Sequence, residues 1–354
     1  MQAGKEILDF IVIGAQKAGT TSLFQYLRQH PEIALPEGKE VPYFSHDSLY
    51  ERGFSAYMGR LVENANREAA DPARRWGTVT PQYMVGGVYQ PAAGAPERDG
   101  YGVRTVPERI RETLPDVRLV AILRDPVQRA LSHHRMSATI GRERRSFDEA
   151  IDQMLGAEAL QDARIHPQES TGYVAWGEYG RILAGYYEVF PSEQILVVFT
   201  EELEREPAQL LSRIQAFIGV DPDFQAPNLG ERYLVGRVER GFSWGSPSSW
   251  MSPSSPLSPQ GMQRALRRSS SVRSVWHALP EGPQQLMRGP YERVVRRVEV
   301  RNRRSAPAEV KANVQPSAAT LERLREHYAQ DAERLASLTG LAPVWQSPGG
   351  GRGS

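Results

Sequence analysis

The sequence predicts an α/β fold in which helices flank a central parallel β-sheet. Three short, continuously apolar and β-branched runs indicate buried strands, at 10–13, 119–123 and 195–199. Helical patterns lie between these runs, and such alternation is typical of a parallel sheet. Ligands of these sheets bind at the carboxyl ends of the strands, where we expect Gly14 and Arg124.

The helical patterns have the apolar spacing of helices that pack one face on a sheet. They span 20–29, 106–114, 127–138, 147–155, 180–190, 207–218 and 317–338. The last of these is amphipathic, and its apolar side carries Leu321, Leu324, Tyr328, Leu335 and Leu338. We expect it to close the fold.

We expect a single domain over 1–345, with a core at 7–220 and the closing helix within 317–340. Between them, 221–316 is predicted to be a mostly helical, loop-rich insertion. It begins with a Ser/Pro-rich loop and continues with an arginine-rich stretch, Arg264 to Arg304. The tail at 346–354 is predicted to be disordered.

Composition excludes several classes of protein. A formal charge of +1 gives no global electrostatic case for nucleic acid, and the absence of cysteine excludes disulfides and thiolate chemistry. No apolar run is long enough for a membrane span or a secretory signal, so we expect a soluble, cytoplasmic protein. Four of the 43 basic residues are lysines, and two of these, Lys17 and Lys39, lie in the most informative segments.

The stretch "DFIVIGAQKAGTTSLFQYL", at 9–27, has the layout of a phosphate-binding loop between a strand and a helix. Gly14 and Gly19 keep the glycine spacing of a nucleotide-hydrolase loop, but Thr20 occupies the lysine position and Lys17 lies inside the turn. Backbone N–H groups at the helix start and Lys17 would surround an anion. An ordinary strand, turn and helix with an exposed lysine is the alternative.

A second strand runs into a charged turn and a helix in "VRLVAILRDPVQRALSHH", at 117–134. Arg124 offers a planar fork for a phosphate, and the Ser132 hydroxyl adds a donor. Two anion sites on adjacent parallel strands indicate a ligand with two separate phosphate-like groups. A surface pair between Arg124 and Asp125 is the alternative.

These motifs resemble those of the sulfotransferases that use 3′-phosphoadenosine 5′-phosphosulfate (PAPS). "GAQKAGTTSL" is similar to their 5′-phosphosulfate loop, and "LRDPVQRALS" to their 3′-phosphate motif. "LRQHPEIALPEGKEVPYFS" and "LREHYAQDAERLASLTGLAPVW" resemble the heparan-sulfate branch and its bacterial relatives. The likeness covers about 10–220 and 321–345, and implies a P-loop nucleotide-kinase-like sulfotransferase fold that requires no metal.

The resemblance also implies residue roles. Arg124 and Ser132 would bind the 3′-phosphate of PAPS or of its product PAP, and Lys17 would also act in catalysis. The residues expected to bind the 5′ end are Gln16, Lys17, Ala18, Gly19, Thr20, Thr21 and Ser22.

By the same resemblance, Glu40 in "GKEVPYF" is the base that takes the acceptor's proton. Taken without it, Glu40 would be a solvated loop residue beside Lys39. His46 is the rival base, because histidine titrates near neutrality. The small-molecule branch of the family uses a histidine in a Lys-Thr-His segment, which this chain lacks. His133 and His134 are expected on the phosphate side of their helix or on the surface.

Two segments depart from the family pattern. Relatives usually carry an acidic and a basic residue where Thr78 and Val79 stand, so an expected second lysine is missing. The loop that covers the cofactor has its nearest counterpart in "LVGRVERGF", which makes Arg237 and Arg240 candidate cofactor-binding residues.

The resemblance implies in-line transfer of a sulfuryl group from PAPS to a hydroxyl or amine of a glycan, lipid or natural product. The arginine-rich stretch would suit an anionic or carrier-bound acceptor, or it forms solvated basic helices. Two alternatives are open: a P-loop kinase, and a non-catalytic nucleotide-binding module. The sequence does not predict the oligomeric state.

Overall fold

The computed structural model describes residues 8–36, 39–40, 42–63, 74–85, 105–231, 233 and 316–346. These residues contain a five-stranded sheet in the order β2-β3-β1-β4-β5, with every pair parallel. The strands are β1 (Phe10–Gly14), β2 (Ile33–Ala34), β3 (Arg75–Val79), β4 (Arg118–Leu123) and β5 (Ile195–Phe199). The predicted fold class, a central parallel sheet flanked by helices, is confirmed.

The three predicted strands are β1, β4 and β5, whereas β2 and β3 were not predicted. The sequence of β3, "RWGTV", interrupts its apolar run with Gly77, which weakens the strand signal. A Cβ at Gly77 would lie 2.1 Å from the ring of Phe10, so glycine allows the Phe10 ring to pack against the neighbouring strand.

The seven predicted helices are confirmed, each ending within three residues of its predicted bounds. The α-helices are α1 (Thr20–Leu27), α2 (Asp47–Tyr50), α3 (Phe54–Glu63), α4 (Val106–Thr113), α5 (Pro126–Thr139), α6 (Phe147–Met154), α7 (Ala157–Ile165), α8 (Gly172–Ala175), α9 (Tyr179–Tyr187), α10 (Thr200–Arg205), α11 (Pro207–Ile218) and α12 (Ala318–Thr339). Short 3₁₀ helices span Pro81–Met84, Ser192–Gln194 and Val344–Gln346. Within the described ranges, no helix is long and apolar enough to cross a membrane.

Each face of the sheet buries its own apolar cluster, because side chains alternate along a strand. Ile11 and Ile13 of β1 belong to the cluster that includes residues of α4 and α9. Phe10 and Val12 belong to the cluster that includes α1 and α11. Burial on both faces explains why the predicted strands are continuously apolar.

The described chain divides into two compact units, and the larger contains the five strands. The described part of the smaller unit is Ser137–Arg144, the end of α5 and the turn that follows. In this turn the N–H groups of Arg142 and Glu143 donate to the Ser137 carbonyl, at 2.9 and 3.2 Å. Most of the predicted insertion at 221–316 and the tail at 347–354 lie outside the described residues.

Helix α12 is fixed to α9 by polar contacts. The Asp331 carboxylate accepts from the N–H groups of Gly180 and Arg181, both at 2.8 Å, and so satisfies the first turn of α9. The buried Glu178 carboxylate contacts Arg164 at 2.6 Å, Arg181 at 2.5 Å and His327 of α12 at 3.0 Å. Burial alone would raise the pKa of Glu178, but hydrogen bonds from His327 and Arg164 and the charge of Arg181 lower it to about 2.

Replacing Glu178 with Gln should therefore destabilise the fold. Loss of the carboxylate leaves the two guanidinium groups without their shared anion, and we expect a loss of about 3 kcal/mol in unfolding free energy at pH 7. The folded pKa lies below the ordinary value of 4.5, so this contribution is present above pH 4.5 and is lost as the pH falls toward about 2. Urea unfolding at several pH values measures it.

The matched control for that measurement is Glu322→Gln, on α12. Glu322 pairs with Arg325 at 3.3 Å, and both side chains are more than half exposed. An exposed pair of this kind contributes less than about 1 kcal/mol. Equal losses from the two substitutions would contradict a stabilising role for the buried cluster.

Candidate functional site

The site lies at the carboxyl end of β1, where the chain turns through 15–19 into α1. The N-cap of α1 is Gly19, which has a left-handed φ of 85° and offers no side-chain cap to the helix. A helix start without a side-chain cap leaves N–H groups for another acceptor. Thr20, Thr21 and Ser22 form this first turn, as predicted, and Thr20 is buried.

Lys17 lies inside this turn with its side chain largely buried. Its Nζ lies 3.7 Å from the Sδ of Met136 on α5. Burial, and then the charge of Arg124, lower the pKa of Lys17, while the carboxylates of Glu40 and Glu169 act in the opposite direction. An exposed surface lysine, the alternative reading of the loop, does not fit this environment.

Arg124 follows β4, the strand next to β1, and its side chain reaches the loop. Its Nη1 donates to the Lys17 carbonyl at 3.4 Å. Asp125 instead caps α5, because its Oδ1 accepts from the N–H groups of Val127 at 2.8 Å and Gln128 at 3.2 Å. Arg124 and the loop therefore follow adjacent parallel strands, β4 and β1, as predicted.

Lys39 and Glu40 approach the loop from the segment that follows β2. Lys39 Nζ donates to the hydroxyls of Thr21 at 2.8 Å and Thr20 at 3.2 Å. It also lies 3.7 Å from Glu40 Oε1, and the two side chains are 14% and 40% exposed. The Lys39 ammonium therefore lies close to both the Glu40 carboxylate and the start of α1.

Glu40 forms hydrogen bonds with β3 and with the 3₁₀ helix that follows it. Its N–H donates to the Val79 carbonyl at 3.2 Å, and its Oε2 accepts from Gln82 Nε2 at 2.8 Å. Gln82 lies in the 3₁₀ helix after β3, and a Cβ at Gly14 would come within 2.5 Å of the Met84 Cβ in that helix. Glycine at the end of β1 thus permits the close approach that brings Gln82 beside the site.

Lys17 and Glu40 share an uncommon backbone conformation. Among the described residues, they alone have left-handed φ angles without being glycine, at 70° and 75°. For such residues this conformation costs about 1–2 kcal/mol, and it persists where surrounding contacts enforce it. Residues of this kind cluster at functional sites, and these two are the predicted catalytic pair.

His46 belongs to a different cluster. Its Nδ1 lies 3.0 Å from the Pro42 carbonyl oxygen and 3.1 Å from Ser45 Oγ. Burial lowers its pKa, and its charged neighbours are Asp47 and Arg109. Those neighbours lie on α2 and α4, whereas Glu40 acts on Lys17. This arrangement favours Glu40 over His46 as the predicted base.

The polar residues of α5, the helix that follows Arg124, differ in how deeply they are buried. Ser132 is half-buried, and within the described ranges its hydroxyl forms no hydrogen bond. His133 is fully buried and packs against Tyr173 and Trp176, and His134 is 1% exposed. A surface position for the two histidines is therefore wrong, because α6 and α8 cover this side of α5.

The other predicted residues of the loop have identified contacts. Gln16 Nε2 donates to Glu169 Oε1 at 3.1 Å, and Ser22 Oγ accepts from the Tyr233 N–H at 3.3 Å. The Ala18 carbonyl lies 2.8 Å from Thr200 Oγ1. Arg237, Arg240 and the Arg264 to Arg304 stretch lie outside the described residues.

Sequence reasoning assigned no site role to Lys39, Gln82 or Thr200. The Thr200 hydroxyl lies within 2.9 Å of the Leu123 carbonyl as well as close to Ala18, so it joins the loop to the end of β4. Gln82 could not be found because β3 was not predicted. The scarcity of lysine in this chain was the available signal for Lys39.

In the part of the chain that the structure describes, no group of three or more histidine, aspartate or glutamate side chains could hold a metal ion. Metal independence stays a prediction.

Two heparan sulfate sulfotransferases are similar in sequence to this chain. The chain is 28% identical over 244 residues to a bifunctional heparan sulfate N-deacetylase/N-sulfotransferase of Drosophila melanogaster, covering 66% of this chain and 21% of that protein. It is 26% identical over 219 residues to heparan sulfate glucosamine 3-O-sulfotransferase 3A1 of Mus musculus, covering 62% of this chain and 47% of the relative. The chain thus spans half or less of the length of these relatives.

A crystal structure of a sulfotransferase from Alicyclobacillus acidocaldarius is 28% identical, covering 62% of this chain and 83% of that chain, with a TM-score of 0.49. The model of the sulfotransferase family matches residues 9–225, which is more than half of the chain. The matched region contains the loop with Lys17, the Glu40 segment, and Arg124 with Ser132. The chain therefore belongs to the sulfotransferase family.

Proposed function

We propose that this chain transfers a sulfuryl group from PAPS to a hydroxyl or amine of an acceptor. The observation that carries the proposal is the geometry around Lys17, whose carbonyl accepts from Arg124 Nη1 at 3.4 Å where the adjacent parallel strands β1 and β4 end. After burial, Arg124 has the largest effect on the pKa of Lys17, and the Glu40 carboxylate opposes that effect. The predicted 3′-phosphate residue and the predicted base thus both act on the ammonium of the predicted phosphosulfate loop.

The residues present fit a donor with two anionic ends. The start of α1, which has no side-chain cap, and the largely buried Lys17 suit one anion, while Arg124 and the Ser132 hydroxyl suit another. When bound, PAPS would supply a sulfuryl group attached to a phosphate that serves as the leaving group.

Each residue has a separate task in the proposed transfer. Glu40 takes the proton of the acceptor hydroxyl or amine, and the hydrogen bond from Gln82 keeps its carboxylate oriented. Lys17 offsets the negative charge that develops on the leaving phosphate. Arg124 and Ser132 hold the 3′-phosphate and so select this nucleotide over one without it.

The acceptor is proposed by chemical class. The two curated relatives are named for N- and 3-O-sulfation of heparan sulfate, so both an amine and a hydroxyl are candidate acceptor groups. A panel of glycans, lipids and small natural products, anionic and carrier-bound forms included, tests this class.

The experiment that tests the function has two stages. Thermal shift with PAP, ATP and NADH should show stabilisation by PAP above the others, and labelled sulfate should then pass from PAPS to a member of the acceptor panel. Transfer should continue in EDTA, because the proposed donor site uses N–H groups, hydroxyls and cations. Activity that EDTA abolishes and magnesium restores would favour the P-loop kinase, and PAP binding without transfer to any acceptor would favour a nucleotide-binding module.

The role of Arg124 can be tested separately. Arg124→Ala should weaken binding of PAP by about ten- to a hundredfold, because a hydrogen bond to a charged group contributes about 1.5–3 kcal/mol. Binding of adenosine 5′-phosphosulfate, which lacks the 3′-phosphate, should change far less. Calorimetry with both ligands measures the difference, and equal losses would assign Arg124 another role.

A further inference from the structure

Lys39 is the side chain in this site with no assigned task. Its Nζ contacts the hydroxyls of Thr21 at 2.8 Å and Thr20 at 3.2 Å, and Glu40 Oε1 at 3.7 Å. Its side chain is only 14% exposed. Lys39 thus connects the two predicted parts of the site, the start of α1 and the base.

Burial of a lysine in such surroundings calls for an explanation. A lysine ammonium is strongly hydrated and its stem is flexible, so lysine is among the residues that are least often buried. Its Nζ donates to two neutral hydroxyls and forms an ion pair with the Glu40 carboxylate. An anion held at the start of α1 would lie beside the same ammonium and would be attracted by its charge.

The backbone directs Lys39 and Glu40 to the same place. Consecutive side chains of an extended chain point to opposite sides. The left-handed conformation of Glu40, at φ 75°, breaks that alternation, and Lys39 Nζ and Glu40 Oε1 meet. The hydrogen bond from the Glu40 N–H to the Val79 carbonyl, at 3.2 Å, fixes this bend to β3.

We propose, on the basis of the function proposed above, that Lys39 is a second catalytic lysine that touches the 5′ end of the donor. In the transfer, the bond between sulfur and the bridging phosphate oxygen breaks and a bond from sulfur to the acceptor oxygen or nitrogen forms. The acceptor proton passes to Glu40, and the leaving phosphate keeps the electron pair. Lys39 lies between the proton acceptor and the loop that holds this phosphate, where its charge offsets the growing negative charge.

Three ligands distinguish a contact between Lys39 and the 5′ end of the donor from a general loss of nucleotide binding. PAP carries both phosphates, adenosine 5′-phosphosulfate lacks the 3′-phosphate, and adenosine 3′-phosphate lacks the 5′ group. In calorimetry, Lys39→Met should weaken the first two by about ten- to a hundredfold and leave adenosine 3′-phosphate within about twofold of wild type. Arg124→Ala should give the complementary pattern, with adenosine 5′-phosphosulfate least affected.

If Lys39→Met does not fold, a second variant still tests the inference. Lys39→Gln keeps a hydrogen-bond donor for the threonine hydroxyls and removes the charge, so it should show the same selective loss with an unchanged melting temperature. Equal losses for all three ligands, or none, would overturn the inference. A loss in turnover with normal affinity would also overturn it, since Lys39 would then act only through Glu40. If wild type binds none of the three, the proposed function itself fails, and the wild-type measurements alone reveal this.

Discussion

Glu40→Gln is expected to reduce sulfate transfer by at least about a hundredfold while PAP affinity and melting temperature stay near those of wild type. A positioned base contributes about 10² to 10⁴ in rate, and the substitution removes basicity while it preserves size. The structure explains why the fold should tolerate it. Glu40 accepts from Gln82 Nε2 at 2.8 Å, a bond that an amide oxygen can also accept, and its backbone bond to Val79 is unaffected.

Two controls separate loss of the base from loss of a negative charge. Glu169 also acts electrostatically on Lys17, so Glu169→Gln removes a nearby charge without removing the proposed base. We expect this variant to lose less than about tenfold in rate. His46→Ala should retain most of the transfer activity, because the contacts of His46 lie with Pro42 and Ser45. Activity that survives Glu40→Gln but not His46→Ala would make His46 the base.

The fold was predictable where local pattern and burial agree. The strands β1, β4 and β5 are buried on both faces, so each appears in the sequence as a continuous apolar run. β2 contains two residues, and β3 carries Arg75 at its start and Gly77 in its middle. Their positions depend on pairing and on the packing of Phe10, which local sequence does not encode.

The site was predictable in parts, for a comparable reason. Lys17 and Arg124 each follow a recognisable strand, so the topology rule for parallel sheets placed them together. Lys39 reaches the loop through a bend at Glu40 that depends on a hydrogen bond to β3. Because β3 was not predicted, neither that bend nor the position of Gln82 could be.

The buried histidines show the limit of reading a helix by its motif alone. His133 and His134 follow the Arg124 motif, and the sequence there does not indicate which side of the helix is covered. α6 and α8 pack on that side, and burial, with Arg129 close by, holds the pKa of His133 well below its usual range. A neutral, buried His133 therefore contributes packing against Tyr173 and Trp176.

Lys17→Met should damage donor binding and transfer together, since the ammonium is placed to contact the donor in both the ground and the transition state. Met keeps most of the stem that reaches the Met136 sulfur. We expect PAP affinity to fall by about ten- to a hundredfold and transfer to fall further, because charge on the leaving phosphate increases in the transition state. Calorimetry and initial rates measure the two effects, and normal PAP affinity would contradict the assignment.

The pH dependence of binding gives an independent test of Lys17. Burial and Arg124 lower its folded pKa, so the folded state binds fewer protons than the unfolded state at pH values between the folded and the ordinary pKa, and stability rises with pH there. Below that range the charged lysine destabilises the fold, and Lys17→Met should melt no lower than wild type at pH 7.

PAP should prefer the protonated lysine, so the affinity for PAP should fall as pH rises through the lowered pKa of Lys17, and PAP binding should be accompanied by proton uptake. Arg124→Ala removes one of the causes of the lowered pKa and should shift this decline in affinity to higher pH, whereas Lys17→Met should abolish the decline. A decline that is unchanged in Lys17→Met would belong to another group.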